Sequence, residues 1–224
     1  MTVARAVGVA GLAAYNWWVG VVLVSALLTS PDVLFSDLEV EGYPHAALLS
    51  HLDVAAGLLI GLALLLGGRL GRSGPRPEWL LLLGFAAAGV LGGLYSYVCS
   101  EGASAACRSA EWHFRLPFRH YVHVGAGITE FAFASIAVLV AYRRRETMAA
   151  LVARVVRVTG LVLLVAYPLI VVAYLTDRYG AVVEPVFFVC FSAIVAVELF
   201  EAAPGQGNEG RTSCVAADRP MGTG

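Results

Sequence analysis

The chain has 224 residues, 59% of them hydrophobic and 14% charged, with a formal net charge of −1 and a mean hydropathy of +0.77. That balance excludes a water-soluble globular fold and makes the lipid bilayer the expected solvent. A charge near zero also excludes nucleic acid as a partner, because displacing counterions from phosphates needs a basic surface.

A helix crossing about 30 Å of hydrocarbon needs about 20 mostly apolar residues. Six segments supply them. The first, Ala6 to Pro31, carries no charge, and the second, about Ala46 to Gly68, holds His51 and Asp53 near its start. The third runs from Trp79 to Ser100, and the fourth from about His120 to Tyr142 with Glu130 near its middle. The fifth spans Val158 to Thr176, and the sixth runs from about Gly180 to Phe200 with Glu184 and Glu198. The expected fold is therefore all-α, a polytopic bundle of six transmembrane helices over residues 1–203. The Gly-rich polar tail, 204–224, has too little apolar surface to fold and is expected to be disordered.

Orientation follows the arginines, since short cytoplasmic loops hold the excess of positive charge. Eleven fall on one side: Arg5, Arg69, Arg72, Arg76, Arg143, Arg144, Arg145, Arg154, Arg157, Arg211 and Arg219. Only Arg108, Arg115, Arg119 and Arg178 fall on the other. Both termini are expected in the cytoplasm. Leu151, Val152, Val155 and Val156 share a helical face and extend span five on that side.

Cys99 and Cys107 then share one outer loop, where an oxidising compartment permits a disulfide across CSEGASAAC. Cys190 and Cys214 are expected to be free thiols. The first outer loop carries Asp32, Asp37, Glu39 and Glu41, and the second Arg108, Arg115 and Arg119. Opposite charge lets the two loops pair into a cap. Trp112, Phe114 and Phe118 suit the headgroup level, where aromatic rings partition.

Ionisable groups inside a span are costly and so point by default to function. His120, His123, Gly127 and Glu130 recur at helical spacing along one face of span four, with Gly127 expected to let another helix approach. His51 and Asp53 lie at a similar outer depth. One reading is structural, with His-to-Asp hydrogen bonds tying spans two and four together. Another is zinc, with ligands drawn from His51, Asp53, His120 and His123 and a water in the fourth position, as in a membrane hydrolase. In residue types such a site resembles the alkaline ceramidase and adiponectin-receptor-like superfamily. Glu130 suits either helix packing, with Tyr15 or Asn16 as partner, or a proton relay in a transporter. Glu198 is placed to meet Arg143 or Arg145, and Glu184 before Pro185 reads as a cap on span six. No Walker, Rossmann or nucleophile-elbow motif is present; the paired glycines lie within spans.

FSDLEVEGYPHAALLSHLDVAAG, followed by an outer Cys-to-Cys loop leading into HYVHVGAG, resembles a bacterial six-span family known as domain of unknown function 998. The resemblance covers about residues 6–203. It implies a six-helix bundle in the bacterial cytoplasmic membrane and no particular activity, with Ser36, Asp37, Asp53, Cys99, Cys107, His120 and His123 as site candidates; Glu39 of the SDLE stretch joins them. The leading expectation is a non-enzymatic membrane protein, without cofactor, whose outer polar layer and loops bind a lipid-like or small amphipathic ligand or a partner protein. The alternatives are a zinc-dependent hydrolase and a proton-coupled transporter.

Overall fold

The computed structural model describes residues 3–23, 32, 34–67, 76–102, 104–176 and 178–200. The tail and Cys214, together with Arg69, Arg72 and the end of the first apolar segment, lie outside the described residues.

The described residues form eight α-helices in chain order: α1 Val3–Tyr15, α2 Trp18–Leu23, α3 Ala46–Gly67, α4 Pro77–Leu94, α5 Ala105–Trp112, α6 Phe118–Arg144, α7 Ala150–Thr176 and α8 Gly180–Phe200. Five of them, α3, α4, α6, α7 and α8, are long and apolar enough to cross a membrane. The chain is a multi-pass membrane protein. Span one differs from the uninterrupted helix expected, because its helical run breaks at Asn16 and Trp17. The cause is local. Asn16 Nδ2 donates to Leu12 O at 2.8 Å and to Ser192 Oγ on α8 at 2.7 Å, while Asn16 Oδ1 accepts Trp18 Nε1–H at 3.1 Å. A side chain that bonds its own backbone competes with the helical ladder. Span three also ends earlier than expected, at Leu94, and the chain continues extended to Ser100.

The core lies where α3, α4, α6 and α8 meet, around Phe85, Phe187, Phe191, Ile60 and Leu82, all fully buried or nearly so. Two glycines set how closely α3 and α4 pack. A Cβ on Gly57 would lie 2.5 Å from Ala86 O, and one on Gly93 would lie 2.4 Å from Ser50 O. Both positions face backbone, which cannot swing aside. Close approach at small residues is how helices gain packing energy where lipid offers no hydrophobic drive. Gly127 behaves otherwise than expected, since nothing lies within 4 Å of its missing side chain.

Each end of the bundle is tied. At the end rich in arginine, Arg144 in the last turn of α6 pairs with Glu78 of α4, which is 0% exposed, and lies 3.9 Å from Glu198 of α8. Arg76 also stands 3.9 Å from Glu198. The partners of Glu198 are thus Arg76 and Arg144 rather than Arg143 or Arg145, because Arg144 is the one turned toward α4 and α8. At the other end the two long loops do pair. Arg119 donates to Glu41 at 2.8 Å, Glu41 N–H to Tyr97 O at 2.9 Å, and Val40 bridges Tyr97 in parallel. Cys99 and Cys107 form a disulfide with their Cα atoms 6.0 Å apart.

Replacing Gly57 or Gly93 by Ala is expected to wedge α3 from α4 and lower stability by about 1 to 3 kcal/mol, the usual cost of overpacking a filled interface. Thermal melting in detergent checks this, with Gly67→Ala, where a Cβ meets nothing within 4 Å, as the control. Equal midpoints for all three variants would refute the packing argument.

Candidate functional site

The SDLE stretch, Ser36–Glu39, forms a single 3-10 turn. Its acidic residues are buried, Asp37 at 5% exposure and Glu39 at 4%. Such burial demands partners, and the turn draws them from two sides, although Glu39 Oε2 has none among the described residues. Glu184 accepts the backbone N–H of Phe35 and hydrogen bonds to Ser36. Asp37 Oδ2 accepts Leu34 N–H at 3.2 Å, and Glu39 lies beside Asp53 and Ser50 of α3. Glu184 is therefore no end cap: it lies inside α8 and anchors the outer loop from within the bundle.

Beneath this turn is a cavity of about 80 Å³. Ser36 and Glu39 line its outer side, Trp17 and Tyr15 come from the first span, and Asp53 comes from α3. His123, Gly127, Glu130 and Phe131 of α6 and Glu184 and Phe188 of α8 complete the wall with Gly89 and Gly92 of α4. Open space at Gly127 and the absence of a side chain at Gly89, where a Cβ would meet Glu130 Oε1 at 3.6 Å, leave room there. At 1.5 Å per residue, Asp53 lies about 10 Å and Glu130 about 18 Å from the loop-side ends of their helices. The cavity occupies the half of the bundle away from the arginine-rich end.

Its polar groups divide into satisfied and unsatisfied ones. Trp17 Nε1–H donates to Asp53 Oδ1 at 2.8 Å. His123 Nδ1 lies 2.9 Å from Gly92 O and 3.0 Å from Tyr95 O; both are acceptors, so Nδ1 carries the hydrogen. Glu130 has no hydrogen bond or ion pair among the described residues. Tyr15, 6% exposed, has a buried hydroxyl with no partner. Burial, and then the neighbouring Asp53 carboxyl, hold Glu39 well above the usual carboxyl range.

The sequence candidates thus separate. Ser36, Glu39, Asp53, His123 and Glu130 come together around the cavity, with Asp37 buried in the adjoining turn. His51 and His120 do not line it. His51 is exposed on the flank of α3, since two residues along a helix turn a side chain by about 200° from Asp53. His120, 0% exposed, bonds Glu111 Oε2 at 3.2 Å. His120 and His123 each stack against the Tyr97 ring at 4.9 Å. The expected His-to-Asp ties between spans two and four are replaced by Trp17 and Glu39 on Asp53, and by Glu111 or backbone carbonyls on the imidazoles. Nor is Asn16 the partner of Glu130, being bound to Ser192. Among the described residues no three of His, Cys, Asp and Glu are grouped as metal ligands: of the donor set proposed for zinc, His51 points away from Asp53 and His120 is turned to Glu111.

The family model described as Protein of unknown function (DUF998) matches residues 6–200. The chain belongs to this family. No curated protein matches the chain, and no solved structure does. The SDLE turn, the Cys-to-Cys loop and HYVHVGAG, which carried the resemblance in the sequence, all converge on the end of this DUF998 bundle opposite the arginine-rich one.

Sequence reasoning missed Trp17, Tyr97 and Glu184 as members of the outer polar structure. Trp17 carried no readable signal. Tyr97 was masked by the expectation of helix to Ser100, and Glu184 by its resemblance to a cap.

A carboxyl whose folded-state pKa is raised contributes stability that is present below its unfolded value, about 4.3 for Glu, and lost as pH rises through the raised value. Glu39→Gln removes that loss. The melting midpoint of the native protein is expected to fall relative to that of Glu39→Gln as pH is raised from 4.3 through neutrality. Parallel curves for the two proteins would contradict it.

Proposed function

We propose that this is a six-crossing protein of a bacterial cytoplasmic membrane, with both termini on the arginine-rich inner side, whose outer-half cavity binds a small amphipathic molecule bearing a positive charge. The helical run from Val3 to Leu23 is about 30 Å long at 1.5 Å per residue, enough for the sixth crossing despite its break. Fusions of a topology reporter after Arg145 are expected to report the cytoplasm, and after Glu41 and Ser104 the outside. A cytoplasmic signal at Ser104 would contradict six crossings with this orientation.

The observation that carries the ligand reading is the composition of the cavity wall. Carboxyl groups of Glu39, Asp53 and Glu130 share it with the rings of Trp17, Phe131 and Phe188. Among its described lining residues His123 alone can carry positive charge. Carboxylates and aromatic faces together attract a cation, the rings through their quadrupoles. About 80 Å³ accommodates several water molecules, at 10 to 15 Å³ each, or a compact ammonium group with a short apolar stem. It is too small for an acyl chain. The occupant is thus a small molecule or only the head of a larger one.

Propylammonium, added to the detergent-solubilised protein, is expected to change tryptophan emission saturably, because Trp17 donates to Asp53 in the cavity wall. Propanol, of the same shape without the charge, is expected to do nothing at equal concentration, and Trp17→Phe to remove most of the response. Equal responses to the amine and the alcohol would eliminate the charge-based reading.

A further inference from the structure

Two carboxyl groups buried side by side hold one proton between them, because two bare carboxylates repel and neither has a hydrogen to give. Glu39 and Asp53 stand side by side in the cavity wall. Asp53 also accepts the Trp17 N–H, which makes it the charged member and Glu39 the donor.

The surroundings leave that proton replaceable. Facing the pair are Tyr15 from α1, Ser50 from α3, His123 and Glu130 from α6, and Glu184 from α8. Glu184 is engaged by Phe35 and Ser36 and Ser50 by Ala46 O. Glu130, as described, has no partner, and the Tyr15 hydroxyl, in the same wall and more than nine-tenths buried, has none either. A hydroxyl oxygen and three carboxyl groups are the acceptors that the N–H groups of an ammonium ion require.

We propose that the cavity exchanges a primary ammonium ion for a proton, the Glu39–Asp53 pair releasing one proton for each cation bound. The proposal rests on the ligand reading above. In the exchange the O–H bond of Glu39 breaks, its proton passes to water, and the two carboxylates accept N–H groups of the ammonium, whose nitrogen keeps all its hydrogens. One positive charge enters and one leaves, so the charge of the buried site is unchanged. That neutrality matters inside a bilayer, where adding a net charge to a low-dielectric site is costly. A site of this kind couples uptake of an organic amine to proton movement in the opposite direction.

Calorimetric titration of the full-length protein with propylammonium, in two buffers of different ionisation enthalpy, counts protons released per ligand. About one is expected, with affinity rising about tenfold per pH unit while the pair holds its proton. Infrared spectra locate the source. The protonated-carboxyl band missing from ligand-free Glu39→Gln identifies Glu39, and the same band is expected to disappear from the native protein on ligand binding. Saturable binding without proton release overturns the exchange and leaves the ligand reading intact. Loss of a carboxyl band that Glu39→Gln still shows assigns the proton elsewhere and overturns the role of the pair. Failure of propylammonium to bind overturns the ligand reading and the exchange together.

Discussion

A carboxyl group facing hydrocarbon must find a hydrogen-bond partner or lose its charge, and the half of this bundle away from its arginine-rich end is organised around meeting that condition. Asp53 on α3 and Glu184 on α8 lie inside helices that cross the membrane, and neither is met by an arginine. Both are met by the SDLE turn. Glu184 takes backbone N–H groups at the start of the turn, and Asp53 lies beside Glu39 at its end. The loop is thereby drawn down into the bundle, Phe35 and Leu38 bury among Leu49 and the rings of Trp17 and Trp18, and the cavity forms below.

The opposite end solves the same problem with opposite charges. Glu78 and Glu198, both buried, are gathered by Arg76 and Arg144 where α4 begins and α6 and α8 end. Ion pairing there lies near the headgroups, where arginine heads reach water. The outer cavity has no such cation in its described wall. One end of the molecule is neutralised by its own side chains, and the other retains carboxyl groups with capacity left over.

The two histidines of HYVH show how a metal-like pattern can serve packing. Their i, i+3 spacing places both rings against Tyr97, and each finds its partner nearby: Glu111 for His120, backbone carbonyls at the end of α4 for His123. Those carbonyls are available because α4 stops at Leu94 and leaves its last acceptors unmatched. A helix continuing to Ser100 would have consumed them, and His123 would have had to look to Asp53.

Much of this was determined by the sequence alone. Apolar runs of membrane-spanning length specify five of the helices, four of them nearly to their ends and α4 all but its last six expected residues, because a lipid environment demands internally satisfied backbone regardless of neighbours. Charge placement predicts that the outer loops meet, as Glu41 and Arg119 do, and the eight-residue interval of Cys99 and Cys107 is one that a single loop can close. Burial cost likewise marks Asp53 and Glu130 as residues needing explanation. What the tertiary structure decided is who answers whom. Helical periodicity separates His51 from Asp53 by direction, but it does not say that Trp17 and Glu39, from different segments, will reach Asp53 before any histidine does. Nor does it reveal that Asn16 interrupts the first span to bond Ser192, or that Glu184 holds a loop almost 150 residues earlier in the chain. Such pairings depend on which helices become neighbours. Here that choice was made by close backbone approach at Gly57 and Gly93 and by aromatic packing around Phe187 and Phe191, interactions with no local signature beyond small and apolar residues.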